Sequence, residues 1–369
     1  MNILWFTWKD TGHPLAGGAE VVNEELAKRL VKDGHTVHFI VGGYCGCEQE
    51  ATHDGFQITR LGNRYTLYFK AYLYYKKHLE CEQIDLVIDE VNTIPFFAKF
   101  YAKQKNILFV HQLARQIWFY QMPFPLSLLG YLLEPLYLWL LSDREVITVS
   151  ESTKRDLMRY GFKAEKIHII SEGIQIEPVG VLASIRKYEQ PTILSLGAVR
   201  PMKRTLDIVR AFEKLKYDKP SAQLIIVGDM FGMYGARVRR AVERSLFAKD
   251  IKVLGSVSQE KKIELMQKSH VIAVTSVKEG WGLIVTEAAS QGTPAVVYNV
   301  DGLRDSVRDG DTGVATKENT PASLAKALVE ILSNPADYEA VRTKAWQWSK
   351  NVSFEKSYEQ FRKIIIKYA

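Results

Sequence analysis

Short apolar runs alternate with longer amphipathic stretches along the chain. Residues 2–7 form one such run, of a length suited to a strand buried on both faces of a parallel sheet. Over residues 19–33, Val21, Val22, Leu26, Leu30 and Val31 recur near helical spacing, and Gly34 follows as a C-cap. Residues 37–41, 86–88, 107–110 and 146–149 repeat the strand pattern, and Ser150 or Ser152 is placed to cap a helix through Tyr160. The pattern then restarts, with strands expected at 192–196, 224–227, 271–274 and 295–298. Between the two series, around residues 174–190, periodicity breaks at Pro178, Gly180 and Pro191. Alternating strands and helices predict parallel sheets with helices on both faces, and two series predict two Rossmann-like domains. The last stretch, 336–369, reads as helical and aromatic, with Tyr338, Trp346, Trp348, Phe354, Tyr358 and Phe361.

Composition narrows the class. The 369 residues, 47% hydrophobic and 25% charged, are those of a globular protein and exclude disorder or a collagen-like repeat. The three cysteines, Cys45, Cys47 and Cys81, make no disulfide framework and no zinc set, which predicts a reducing, cytoplasmic compartment. Met1 leads straight into an apolar run without a basic leader, so no secretory signal is expected. Residues 116–133 run for 18 positions without a charge, but Pro123 and Pro125 interrupt them and Glu134 and Pro135 follow. Proline removes helical hydrogen bonds that hydrocarbon cannot replace, so this segment is expected to be interfacial or buried rather than membrane-spanning.

The net charge of +7 is unevenly placed. Residues 1–175 hold 19 basic and 20 acidic side chains, whereas residues 176–369 hold 30 and 22. The basic excess therefore sits in the second half, where an anionic ligand is expected. A nucleic acid is not: no zinc, helix-turn-helix or RNA-binding signature is present, and the cluster Arg237, Arg239, Arg240 and Arg244 would spread around a helix.

Three loops carry candidate chemistry, each following an expected strand. Glu279, Gly280, Trp281, Gly282 and Leu283 lie between a strand and a helix, with Glu287 eight residues after Glu279. A helix N-terminus offers free N–H groups to anionic oxygens, and two carboxylates can accept paired hydroxyls from a sugar. Gly197 opens a second loop that carries Arg200, Lys203 and Arg204, three cations in five positions, suited to a diphosphate. Gly17, Gly18, Ala19 and Glu20 stand before the first helix.

Together these features resemble the retaining glycosyltransferases of family 4, with the GT-B fold. The resemblance rests on the Glu-x7-Glu spacing of Glu279 and Glu287, the loop from Gly197 to Lys203, and the Gly-Gly-x-Glu element at Gly17–Glu20. Gln291, Gly292, Thr293 and Pro294, and the turn from Asp309 to Gly313, look like further family signatures. The fold implied is α/β, two Rossmann-like domains with parallel sheets facing across a cleft. Residues 1–175 would form the acceptor domain and 176–351 the nucleotide-sugar donor domain, with a C-terminal helix, about 352–369, packing back on the first. Carried over by position, Glu287 would hold the ribose and Lys203 would neutralise the diphosphate leaving group. Glu279 and the backbone from Gly280 to Leu283, with Trp281, would position the donor sugar. Gly17, Gly18 and Gly197 would give close backbone approach, and His111 would stand near the reacting centre.

Two positions depart from the family pattern. Ala198 stands where the family has an arginine, leaving Arg200 as the candidate for that role, and Glu172 stands where an asparagine is common. The implied reaction needs no metal or other cofactor, because fixed cations and helix N–H groups can stabilise the departing diphosphate. Asp309 and Asp311 spell the Asp-x-Asp of metal-dependent transferases but fall in an expected surface turn. Readings left open on the same fold are a nucleotide-sugar epimerase or phosphorylase, or a binding protein without catalysis.

The first half also has basic-aromatic stretches. No acidic residue lies between Glu90 and Glu134, or between Arg60 and Lys77. Cations and aromatics interleave in both, as an anionic lipid surface would attract. The expectation is a cytoplasmic enzyme, peripheral on the inner membrane face, acting on a lipid-linked or other glycan acceptor.

Overall fold

The computed structural model describes residues 1–368. The chain divides into two compact α/β domains, one of Met1–Gly173 together with the segment from Ser353 onward, the other of Ile174–Val352.

The first domain holds eight strands: β1 (Asn2–Phe6), β2 (Thr36–Gly42), β3 (Glu50–His53), β4 (Phe56–Leu61), β5 (Leu86–Glu90), β6 (Lys105–Val110), β7 (Val146–Thr148) and β8 (Ile167–Ile169). Their order is β3-β4-β2-β1-β5-β6-β7-β8, all parallel except β3, which pairs antiparallel with β4. The antiparallel edge departs from the all-parallel expectation. Residues 50–53 are mostly polar and exposed, so hydrophobic patterning gives them no strand signal. The central strands are apolar because both faces are covered. Trp5, on β1, is fully buried and stacks on Phe361 at 5.8 Å, so the helix Phe354–Ile365 closes one face of this sheet. Tyr358 Oη donates to Asp33 Oδ2 at 2.8 Å and fixes the same helix beside Gly18–Lys32.

The second domain is a six-stranded, wholly parallel sheet. Its strands are β9 (Thr192–Leu196), β10 (Gln223–Val227), β11 (Ile251–Gly255), β12 (Val271–Val274), β13 (Ala295–Val297) and β14 (Gly313–Ala315). The order is β11-β10-β9-β12-β13-β14. Strand order therefore reverses between β9 and β12 here, and between β1 and β5 in the first domain, and such reversals leave a crevice at the carboxyl ends of the strands.

Lys187 ties the segment leading into β9 to the rest of this domain. Its Nζ donates to the carbonyls of Gln267, Ser269 and Gly292 and to Thr293 Oγ1, all at 2.7–2.8 Å. Burial pushes the amine well below its usual range. Four oxygen acceptors pull the other way, since the ammonium form offers them more donors than a neutral amine.

One helix of the first domain is built inside out. Leu126–Leu141 turns Ser127, Gly130, Glu134, Tyr137, Leu138 and Leu141 inward. Glu134, its one charged residue, is 1% exposed and accepts from the N–H groups of Ala114 and Arg115 and from Trp118 Nε1. Gly130 is required by close packing: a Cβ there would lie 2.4 Å from the Trp118 ring. Pro135 cannot donate to the carbonyl of Tyr131, and Arg115 Nη1 donates to that oxygen instead, at 3.1 Å. The outward side carries leucines. No helix among the described residues is long and apolar enough to cross a membrane.

Candidate active site

The two strongest loops of the second domain meet at its switch point. One follows β9, the other follows β12, and these strands are neighbours. The loops are stitched by backbone: Val277 N–H donates to the Met202 carbonyl at 2.8 Å, and Thr275 Oγ1 donates to the Lys203 carbonyl at 2.8 Å. Lys203 Nζ and Glu279 Oε1 form an ion pair, and Ser276 Oγ donates to the same carboxylate oxygen. Residues 76 apart in sequence thus share one contact.

The other cations of the loop differ in availability. Arg204 pairs with Asp207 at 2.6 Å and lies over the Tyr298 ring. Arg200 is exposed and makes no ion pair among the described residues. Gly197 is exposed too, with open space where a side chain would stand.

Gly280 and Gly282 lead into the helix Leu283–Ser290, with Gly282 as its N-cap residue and Leu283 as its first. The opening N–H groups of such a helix lack partners within it. Trp281 Nε1 donates to Thr286 Oγ1 at 3.0 Å, and its ring stacks on Trp348 at 6.1 Å. Glu287 is half-buried on the same helix and pairs with Lys262 at 2.7 Å.

Glu279 is also held from behind. Its N–H donates to the Asp301 carbonyl at 3.2 Å, and Gly302 has φ +78° with no room for a side chain. A Cβ on Gly302 would stand 2.1 Å from the Glu279 carbonyl oxygen. Gly302→Ala is therefore expected to cost about 2 kcal/mol or more through strain and displacement of the Glu279 loop. A melting temperature within one or two degrees of wild type would contradict this.

In the first domain, the loop after β1 leads to Gly17 and the helix Gly18–Lys32. Glu20 accepts from the Gly17 N–H at 2.6 Å and pairs with Lys9 at 3.2 Å. The glycine pair is thus folded over a buried ion pair. His111 follows β6 and is 7% exposed. Its Nε2 lies 3.3 Å from Asn23 Oδ1 and 3.8 Å from Glu90 Oε1, and its Nδ1 lies 4.0 Å from Glu172 Oε1. Burial depresses the imidazole to about 3 and raises the carboxyls of Glu90 and Glu172 to about 8 each. The group is therefore held largely uncharged: a neutral imidazole between protonated carboxyls.

Several neighbours carry no motif of their own. Lys262, Ser276 and Trp348 hold Glu287, Glu279 and Trp281, and only the tertiary fold brings them there. Glu172 does stand out in sequence, and its place beside His111 is what the structure adds. Asp309 and Asp311 serve their turn: Asp309 Oδ1 accepts from the Ala315 N–H at 2.8 Å and Asp311 pairs with Lys344 at 2.9 Å. A cavity of about 510 Å³ lined by Tyr188, Thr192, Gln223 and Lys252 includes the amino-terminal residues of β9 and β10, away from these loops.

Residues 16–178 match the family described as Glycosyltransferase Family 4, and residues 183–348 match Glycosyl transferases group 1. The chain belongs to glycosyltransferase family 4. It is 26% identical over 226 residues to D-inositol 3-phosphate glycosyltransferase of Rhodococcus jostii, covering 58% of this chain and 50% of that protein. The chain spans about half the length of the first curated relatives it matches. It is also 26% identical over 383 residues to N-acetyl-alpha-D-glucosaminyl L-malate synthase of Bacillus anthracis, covering 97% of this chain and 94% of that protein. Among solved structures, sucrose-phosphate synthase from Thermosynechococcus elongatus superposes with TM-score 0.79 at 20% identity, over 99% of this chain and 98% of that one. Anabaena Alr3699/HepE in complex with UDP-glucose superposes with TM-score 0.72 at 17% identity over 100% of both chains. This family 4 glycosyltransferase is thus of the GT-B type, with two parallel-sheet α/β domains.

Proposed function

We propose that this glycosyltransferase uses a nucleoside-diphosphate sugar as donor and transfers the sugar with retention of anomeric configuration, without a metal. The observation that carries this reading is the meeting of Lys203 and Glu279 at the β9–β12 switch point. The structural neighbour solved with UDP-glucose supports the donor class.

The residues divide the work as follows. Lys203, with Arg200, meets the charge that grows on the diphosphate as the glycosidic bond to it breaks. Such fixed cations act without reorganising and supply the positive charge that a divalent ion supplies elsewhere. The diphosphate competes with Glu279 for Lys203, which turns the Glu279 carboxylate toward sugar hydroxyls. Gly280, Trp281, Gly282 and Leu283 present backbone N–H groups along the sugar and phosphate, and Gly197 lets the phosphates approach. Glu287 accepts from the ribose hydroxyls. In the first domain, Gly17 and Gly18 allow close backbone approach to a ligand, and His111 is the candidate for a part in the chemistry. The acceptor is a glycan, lipid-linked or of the cell envelope, and the enzyme works in the cytoplasm at the membrane face.

A thermal-shift panel with UDP, GDP, ADP and dTDP tests the donor. One diphosphate at a hundredfold excess over its Kd adds about 2.7 kcal/mol to the second domain, a shift of several degrees. Lys203→Ala should abolish that shift. A panel in which none of the four raises the melting temperature would remove the nucleotide-sugar reading.

A further inference from the structure

We propose that the inside-out helix Leu126–Leu141 lies in the plane of an anionic bilayer surface, with its leucine side immersed and a cationic rim on the headgroups. This gives the lipid-linked acceptor reading a physical surface, and it rests on the first domain alone.

A soluble amphipathic helix hides its apolar stripe and shows its charge. This helix packs Tyr137, Leu138 and Leu141 inward but also buries its one charge and leaves most of its leucines outside. Its carboxylate, Glu134, is buried and fully engaged. Leu129, Leu132, Leu133, Leu136 and Trp139 are exposed, Leu132 by 62% and Trp139 by 63%. Phe124, just before the helix, is 78% exposed. Contiguous apolar surface of this kind marks an interaction site.

The patch continues onto a second element. The helix Leu67–Tyr74 and its approach expose Tyr65, Phe69 and Leu73. Arg64 joins the two regions, its Nη2 donating to the Gln121 carbonyl at 3.4 Å and lying 3.0 Å from Met122 Sδ.

Charge identifies the occupant. No acidic residue lies between Asp54 and Glu80, and between Glu90 and Asp143 the one acidic residue is the buried Glu134. Arg64, Lys70 and Lys77 are exposed and make no ion pair among the described residues. Leucines and aromatic rings, with neighbouring cations that make no ion pair and the acid turned inward, match anionic headgroups over hydrocarbon. The helix has 16 residues, about 24 Å long at 1.5 Å each, too short to span and long enough to lie flat.

The test uses the full chain with vesicles of phosphatidylcholine alone or of equimolar phosphatidylcholine and phosphatidylglycerol. The chain should sediment with the mixed vesicles and more weakly with the neutral ones. Leu132→Gln with Leu136→Gln should lower partitioning at least about tenfold. Removing Arg64, Lys70 and Lys77 as glutamines should lower it about fivefold per cation at low salt and erase the preference for phosphatidylglycerol. These side chains are exposed, so both variants should keep the wild-type melting temperature and the wild-type rate of donor hydrolysis without acceptor. Absence of binding to either vesicle, or binding unchanged in Leu132→Gln/Leu136→Gln, would overturn the proposal. So would a wild-type dimer in sedimentation equilibrium that the same double variant splits and that ignores vesicles. Loss of the docking proposal leaves donor turnover intact, whereas vesicle binding without any nucleotide-sugar turnover sinks the donor reading and leaves the docking standing.

Discussion

Glu279→Ala is expected to lower kcat for sugar transfer by about two to three orders of magnitude, the usual effect of removing one fixed electrostatic partner of a transition state. The variant leaves Lys203 and Ser276 in place without the carboxylate they now share. Lys203, released from its pair, should bind nucleoside diphosphate as well as before or more tightly. The signature is thus a split: kcat falls while the affinity for free diphosphate holds or rises. Lys203→Ala gives the converse, losing diphosphate affinity along with rate. Steady-state transfer assays combined with calorimetric titration separate the two. Transfer unchanged in Glu279→Ala, or diphosphate affinity lost together with rate, would mean that the Lys203–Glu279 pair is structural.

The second large effect is on stability. Glu172 and Glu90 are raised from an ordinary value of 4.5 to about 8 in the folded protein. A raised carboxyl binds its proton more tightly when folded, so its contribution is fully present below about 4.5 and is lost as pH rises through about 8. His111 runs the other way: lowered from 6.5 to about 3, it favours folding above 6.5 and ceases to do so as pH falls through about 3. The first domain should therefore lose stability between about pH 4.5 and 8, most steeply above 6.5, where the opposing gain from His111 has ended. Glu172→Gln keeps the shape and cannot ionise, so it should flatten that decline. It should match wild type near pH 5 and exceed it at pH 9 by on the order of 2–4 kcal/mol. Melting curves across this pH range decide the matter. If the variant melts lower at every pH, Glu172 is instead an ionised partner of a charged His111, and the neutral cluster is wrong.

Sequence reading reached the buried strands because their environment writes itself into composition. Strand β9 is expected at 192–196 and found at Thr192–Leu196, and the expected 271–274 is β12. Both are largely buried: β12 is apolar and mostly β-branched, and β9 is apolar apart from Thr192 and Ser195. Missed strands are those whose surroundings leave no such mark. Strand β3 is polar and exposed, β4 is mostly buried but Gln57, Thr59 and Arg60 break its apolar run, β11 has exposed residues at Lys252, Val253 and Leu254, and the short β8 and β14 carry His168 and Gly313. The two loops that meet after β9 and β12 stand out in sequence for another reason: glycines and charges must sit close together to shape one turn. Their partners obey no such rule. Lys262 meets Glu287 from a different helix, and Trp348 meets Trp281 from the far end of the domain. The basic-aromatic stretches were only half legible. Phe96 and Trp118 prove to be core and Lys99 is tied to Asp143, while for the leucines of Leu126–Leu141 the sequence left an interfacial and a buried place both open. Composition does not reveal which side of an all-apolar helix faces out; the buried Glu134 does.

The four oxygens around Lys187 bear on how the enzyme can be taken apart. They belong to Gln267, at the end of the helix Gln259–Lys268, and to Ser269, Gly292 and Thr293, which lead into β12 and β13. Lys187 itself precedes β9, in a stretch with little regular structure of its own. A fragment of the second domain cut at the start of β9 would keep every strand of its sheet, yet leave a polar hole beside the strand that leads to Glu279. The second domain therefore begins upstream of its first strand, in residues that look like a tether and act as a keystone.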